Sequence, residues 1–149
     1  MKVDYILFLQ GKGEWAIASL YTSMKEKSAA VIVAAGSSRR MQGHDKLWIS
    51  LAGRITLART VDVFQASPVI DSIVLVTNDE RLADTRALCE QEQWDKVIAV
   101  VAGGARRQDS VRNGLDALVE INATCRWVMI HDGARPFVTS TILQEGLRA

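Results

Sequence analysis

Two cysteines in 149 residues are too few for a disulfide framework, and Cys89 and Cys125 lack both CxxC spacing and nearby histidine ligands, so no zinc site is suggested either. They read as buried, inert thiols in a reducing compartment. Charge of one sign is equally scarce. Eighteen Lys and Arg against 17 Asp and Glu leave a formal charge of +1, which gives no broad field to attract nucleic acid or an anionic membrane. Long apolar runs are missing: residues 5–9 and 15–21 are the apolar stretches of the first 28, and neither approaches the ~20 residues that span a bilayer. Asp4 interrupts the start, and no small-residue cleavage pattern follows a long enough apolar run, which argues against a secretory signal. The expectation is a cytoplasmic protein without nucleic-acid or membrane partners. Internal repeats and low-complexity tracts are absent too.

What is present is enough apolar material, 48% of residues, for one proper core. Residues 1–28 read as an N-terminal extension of unknown role, ending in the polar Met24-Lys25-Glu26-Lys27-Ser28 boundary, and residues 29–149 as one domain. From residue 29 strands and helices alternate. Residues 29–34 are a continuous small and β-branched run suited to a central strand covered on both faces. Leu57, Val61 and Phe64 recur at helical spacing until Ser67-Pro68, and residues 72–77 form a second strand. A helix over 80–92, a strand over 96–101, a helix with Val111, Leu115 and Leu118 inward, and a strand over 127–130 follow. A final helix begins near Ser140 or Thr141 with Ile142, Leu143 and Leu147 facing the core. No helix stop precedes Ala149, which predicts a shortened chain. The alternation predicts an α/β fold, an open, mostly parallel sheet with helices on both faces and incomplete at the C-terminus. Such sheets bind ligands beyond the carboxyl ends of their strands, which brings together the loops 35–46, 102–110 and 131–136.

These loops hold nearly all the unusual residues. The first reads Ala34-Ala35-Gly36-Ser37-Ser38-Arg39-Arg40-Met41 and reaches Lys46. Its small residues let the backbone approach a ligand, its N–H groups can meet phosphate oxygens, and Arg40 and Lys46 add positive charge there. Gly-Lys-Ser/Thr is missing, so it is no P-loop, and one glycine cannot make a dinucleotide fingerprint. The bland alternative is a Ser-rich turn with solvated arginines. The second loop, Gly103-Gly104-Ala105-Arg106-Arg107-Gln108-Asp109-Ser110, precedes a helix that Asp109 or Ser110 can cap. Capping and ligand contact are equally open for Ser110, and one of the two arginines could steady the loop by pairing with a carboxylate. The third, His131-Asp132-Gly133-Ala134-Arg135-Pro136, places an Asp able to hold Mg²⁺ beside an Arg able to pair with a phosphate. A local turn and a surface ion pair are the alternatives.

Taken together, the loops resemble the methylerythritol phosphate cytidylyltransferase family within the wider class of sheet-based nucleotidyltransferases. Ala-Ala-Gly with Arg-Met and Lys is shared by relatives that act on molybdopterin or sugar phosphates. The sharper match is Gly103-Gly104, Arg107 and Asp109-Ser110-Val111 followed by His131-Asp132-Gly133-Ala134-Arg135-Pro136. The resemblance implies transfer of a cytidylyl group from CTP to 2-C-methyl-D-erythritol 4-phosphate with release of pyrophosphate, in isoprenoid precursor synthesis. Arg40 and Lys46 would be the catalytic basic pair and Asp132 the Mg²⁺ ligand. Ala34, Ala35, Gly36, Gly104, Ala105 and Ser110 would enclose the nucleotide, and Arg135 would lie near the substrate phosphate. Asp45 departs from the Pro or Asn often found there, and the loop from Arg40 to Lys46 is somewhat short. The family continues past the equivalent of Ala149 with an arm exchanged between two subunits, so the expected homodimer would lack it here. A ribitol-5-phosphate cytidylyltransferase and a non-catalytic nucleotide-binding fragment are the alternatives.

Overall fold

The computed structural model describes residues 9–10, 14–15, 27–36, 45–121 and 125–148. Two short strands, β1 (Leu9–Gln10) and β2 (Glu14–Trp15), pair antiparallel within the N-terminal extension, while the rest of residues 1–26 lies outside the described residues. The run of small and β-branched residues forms β3 (Lys27–Ala34), which begins two residues before the expected boundary at residue 29. Seven of its eight residues are buried, as a strand with helices on both faces requires.

A tight antiparallel hairpin follows, β4 (Ser50–Leu51) and β5 (Arg54–Ile55), turned by Ala52 and Gly53 with φ of 50° and 78°. Two-residue hairpin turns of this hand need positive φ at both central positions and favour Asn-Gly or Asp-Gly. An alanine at the first of them hides the turn from sequence reading. Next come α1 (Thr56–Ala66), β6 (Ser72–Thr77), a 3₁₀ turn (Asp79–Arg81), α2 (Leu82–Glu92), β7 (Val97–Ala102), α3 (Arg107–Ile121), β8 (Cys125–Asp132) and α4 (Ser140–Arg148). The helix expected over 80–92 is thus a 3₁₀ turn leading into α2, started by the Asn78 side chain accepting from Arg81 N at 3.0 Å.

Among the described residues the main sheet has the order β7–β6–β3–β8, with every pairing parallel. Helices cover both faces. On one side Leu57, Val61 and Phe64 of α1, Leu88 of α2 and Leu143 of α4 pack with Ala30, Ile32, Ile73 and Leu75. On the other, Leu118 of α3 packs with Ala29, Val31, Val33, Val74 and Val76. Each such large apolar side chain contributes roughly 1.5–3 kcal/mol by leaving water.

The expected inward face of α3 was Val111, Leu115 and Leu118, but the buried stripe is Ser110, Gly114 and Leu118, with Val111 and Leu115 on its flanks. A Cβ on Gly114 would lie 2.5 Å from Val31 Cγ1 and 2.8 Å from Val76 Cγ2, so the missing side chain lets the helix axis sit close to the sheet. In α4 Leu143 is buried as expected, whereas Ile142 stands 54% exposed. No helix among the described residues is long and apolar enough to cross a membrane.

Candidate active site

The strand order reverses direction between β3 and β8, and the described parts of the loops leaving the carboxyl ends of β3, β7 and β8 lie on one edge of the sheet, where such folds leave a crevice for ligands. Three sets of contacts bring those loops together. Gly103 N donates to Thr77 O at 2.7 Å, and a Cβ on Gly103 would fall 2.3 Å from Ala35 Cβ and 2.7 Å from Ser110 Oγ. Only a glycine allows the first and second loops to meet so closely. Gly133 N donates to Val33 O at 2.9 Å, while the buried Thr60 hydroxyl donates to Gly133 O at 2.8 Å, fixing the third loop between β3 and α1. A Cβ on Gly133 would stand 3.1 Å from Ala34 Cβ and 3.3 Å from Leu47 Cδ2, so the third loop abuts the segment carrying Lys46.

That segment is held by helix physics. The first N–H groups of any α-helix lack partners within it, and α1 has no side-chain cap at Ile55. Instead Thr56 N donates to Ile49 O at 3.0 Å and Leu57 N to Leu47 O at 2.9 Å. Residues 45–49 are therefore stitched to the start of α1, with Leu47 buried and Lys46 exposed beside it. Asp45 Oδ1 accepts from Leu47 N at 3.1 Å and Asp45 O from Trp48 N at 2.9 Å, closing a turn with Lys46 at its apex. Arg40, the other expected basic residue, lies outside the described residues, as does the loop from residue 37 to 44.

Asp132 ends β8. Its Oδ1 accepts from Ala134 N at 3.0 Å, the local turn that sequence reading set beside a metal role. Its Oδ2 faces two cations, Arg107 NH1 at 3.7 Å and Arg135 Nε at 3.8 Å. Arg107 belongs to the second loop, so this ion pair ties the second and third loops across the crevice. A carboxylate partner for one of the two arginines was expected, but not one in the third loop. The signal was the place of Arg107 at the first turn of α3, from which a long side chain reaches the neighbouring strand end. One oxygen of Asp132 accepts in the turn, and the other faces the guanidinium groups of Arg107 and Arg135 beyond hydrogen-bond distance. Among the described residues no group of three or more His, Cys, Asp and Glu side chains comes together as a protein-only metal cage. A lone carboxylate of this kind fits Mg²⁺, which takes one or two carboxylates and fills its remaining positions with phosphate oxygens and water.

The second loop braces itself. Ser110 is buried, and its Oγ accepts from Gly104 N at 3.0 Å and donates to Arg106 O at 3.3 Å. Asp109 reaches back to Arg106 N at 3.1 Å, half of a capping box, and pairs with the Arg106 side chain at 3.0 Å. That guanidinium holds the Asp109 carboxyl below its usual range. Arg106 thus steadies this loop from within, and Arg107 ties it to the third. Gly36, Gly104 and Ala105 are exposed at the crevice, Ala35 is half-buried and Ala34 is buried in the strand end. Arg135 is exposed. His131 has a structural place, its Nε2 3.1 Å from Arg135 O and its ring packed on Phe64 with centroids 5.1 Å apart. Both cysteines are half-buried; burial raises the Cys89 thiol to about 11 and also raises Cys125.

A 2-C-methyl-D-erythritol 4-phosphate cytidylyltransferase from Dehalococcoides mccartyi strain CBDB1 is 48% identical over 126 residues, covering 85% of this chain and 54% of the relative. One from Clostridium botulinum strain Langeland is 40% identical over 123 residues, covering 82% and 52%. The crystal structure of 4-diphosphocytidyl-2C-methyl-D-erythritol synthase from Anaerococcus prevotii superposes with a TM-score of 0.69 at 27% identity, covering 83% of this chain and 50% of that one. The chain thus spans about half the length of the relatives it matches. Residues 28–149 match the family model for 2-C-methyl-D-erythritol 4-phosphate cytidylyltransferase (IspD), and the chain belongs to that family.

Proposed function

We propose that this chain carries the nucleotide-handling part of a cytidylyltransferase that joins CTP to 2-C-methyl-D-erythritol 4-phosphate in isoprenoid precursor synthesis. The observation that carries the reading is the packing of three strand-end loops against one another, with Lys46, Arg107, Asp132 and Arg135 at their rim and small residues between. Family membership supplies the substrate pair. In the reaction a phosphate oxygen of the alcohol phosphate attacks the α-phosphorus of CTP. The new P–O bond forms as the bond to the β-phosphate oxygen breaks, and pyrophosphate leaves with that electron pair. No covalent enzyme intermediate is needed, so the work is to hold two anions in line and offset developing charge.

Lys46, together with Arg40, would place positive charge on the triphosphate. Gly36, Gly104 and Ala105 would bring backbone close to the cytosine and ribose, with Ala34, Ala35 and the buried Ser110 supporting those turns. Arg135 would neutralise the phosphate of the acceptor. Asp132 would hold a Mg²⁺ ion, which when bound would draw charge from the phosphate oxygens. The protein is read as cytoplasmic and its active form as a homodimer. A ribitol phosphate acceptor is not favoured, since the named relatives act on methylerythritol phosphate.

The test is pyrophosphate release with CTP, Mg²⁺ and either alcohol phosphate, alongside calorimetric titration of CTP. Methylerythritol phosphate should give the faster release, and Lys46→Ala should lower it on the order of a hundredfold, the scale of one lost preorganised contact. Unchanged turnover in Lys46→Ala would remove that residue from the chemistry. Tight CTP binding without release from either acceptor would reduce the chain to a nucleotide-binding module.

A further inference from the structure

The turn that presents Lys46 is gripped from a second side by a residue of another strand end. Arg81 closes the 3₁₀ turn after β6. Its Nε lies 3.6 Å from Asp45 Oδ2, and its guanidinium carbon sits 4.9 Å from the centroid of the Trp48 ring. Asp45 precedes Lys46 and Trp48 follows two residues later, so one planar cation touches both flanks of the apex. Arg81 is itself anchored, its backbone N donating to Asn78 Oδ1 at 3.0 Å and its NH1 2.7 Å from Asp84 Oδ2. The turn is thus clamped between α1, through Leu47 and Ile49, and the end of β6, through Arg81.

Each contact alone is weak where the groups are partly exposed. Their joint effect is orientation. Lys46 has a long flexible stem, and its ammonium can be aimed at a ligand only as well as its backbone is held. Small misplacements of a positioned group are expensive in rate and affinity. We propose that Arg81 is a positioning residue for Lys46, fixing the Asp45–Trp48 turn so that the Lys46 ammonium is presented to the triphosphate of a nucleotide in the crevice. The proposal rests on the reading of Lys46 as a triphosphate-binding cation. It also gives Asp45 a purpose, since its carboxylate meets one side of the Arg81 guanidinium.

Calorimetric titration of CTP with Mg²⁺ into the full chain tests it through four proteins: wild type, Lys46→Ala, Arg81→Ala and the double variant. Arg81→Ala should weaken CTP on the order of tenfold when Lys46 is present and have no further effect when it is absent, which is the signature of action through Lys46. Arg81→Lys, which keeps a cation for Asp45 and Trp48, should recover most of the loss, and melting temperatures should stay within about 2 °C of wild type, as for other exposed substitutions. An equal loss in both Lys46 backgrounds, or equal losses from Lys and Ala at position 81, would overturn the positioning role. So would a loss from Lys46→Ala accompanied by none from Arg81→Ala, while the reading of Lys46 survived. If CTP fails to bind, or Lys46→Ala leaves its affinity unchanged, the parent reading falls and the positioning role with it.

Discussion

Val31 of β3 and Ile130 of β8 are register partners in one parallel sheet, yet the first is fully buried and the second 47% exposed. Both strands are apolar, and both were recognised from that property. They differ in what lies over them. On the α3 side, that helix packs across β3, β6 and β7, so Ala29, Val31 and Val33 are enclosed while Val128 and Ile130 are left at the surface. On the opposite side α1 and α4 cover Met129 and His131 but stop short of Trp127, which is 48% exposed. With Phe137 and Ile142 these residues make β8 an apolar flank, against an interior where β3 and β6 have no exposed apolar residue. An apolar run specifies a strand, but its burial is decided by neighbours that its own sequence does not name.

The largest contrast with β8 is expected at Ile32, on the covered face of β3. Ile32→Ala should cost about 4 kcal/mol, within the range for truncating a fully buried aliphatic side chain, read from urea unfolding at constant slope. A loss near 1 kcal/mol would mean that the interior is loosely packed. A middle value is expected at the clamp beside the hairpin. Arg54 pairs with Asp62 at 2.6 Å and with Glu92 at 2.8 Å, while Trp94 Nε1 donates to Asp62 Oδ1 at 3.0 Å. Its hydrogen bonds to Asp62 and then Glu92 push the guanidinium pKa further up. Arg54→Ala should cost about 2 kcal/mol after allowance for partial exposure, and Arg54→Lys should recover little of it, because an ammonium cannot fork between two carboxylates. The smallest effect belongs to Ile130→Ala, at most about 1 kcal/mol by the area it leaves in water. A loss there as large as at Ile32 would show that another molecule covers the β8 flank in solution.

Much of the framework was legible because parallel strands covered on both faces leave a continuous apolar signature. Residues 72–77 coincide with β6, and the stop at Ser67-Pro68 coincides with the end of α1. The loops were found by their odd chemistry, and the structure packs the described parts of all three along one edge. What escaped was whatever depends on contact between distant segments. The Ala52-Gly53 hairpin, the Gly114 approach and the Arg107–Asp132 tie each join residues whose partners lie elsewhere in the chain or whose types are unremarkable alone. Ser110 illustrates the limit: capping and ligand contact both fitted its type, and neither reading named its buried bonds to Gly104 and Arg106.

By itself the sequence determined the alternation of strands and helices, the parallel sheet and the family, because hydrophobic periodicity and loop chemistry are local properties. The tertiary structure alone decided that α1 borrows the carbonyls of Leu47 and Ile49 as its cap. Among the described residues it likewise set Arg81 against the Lys46 turn and left Val128 and Ile130 of β8 exposed. Those outcomes depend on distances across the fold, and orphan backbone groups and charged side chains take whichever partners the packing of the sheet brings within reach.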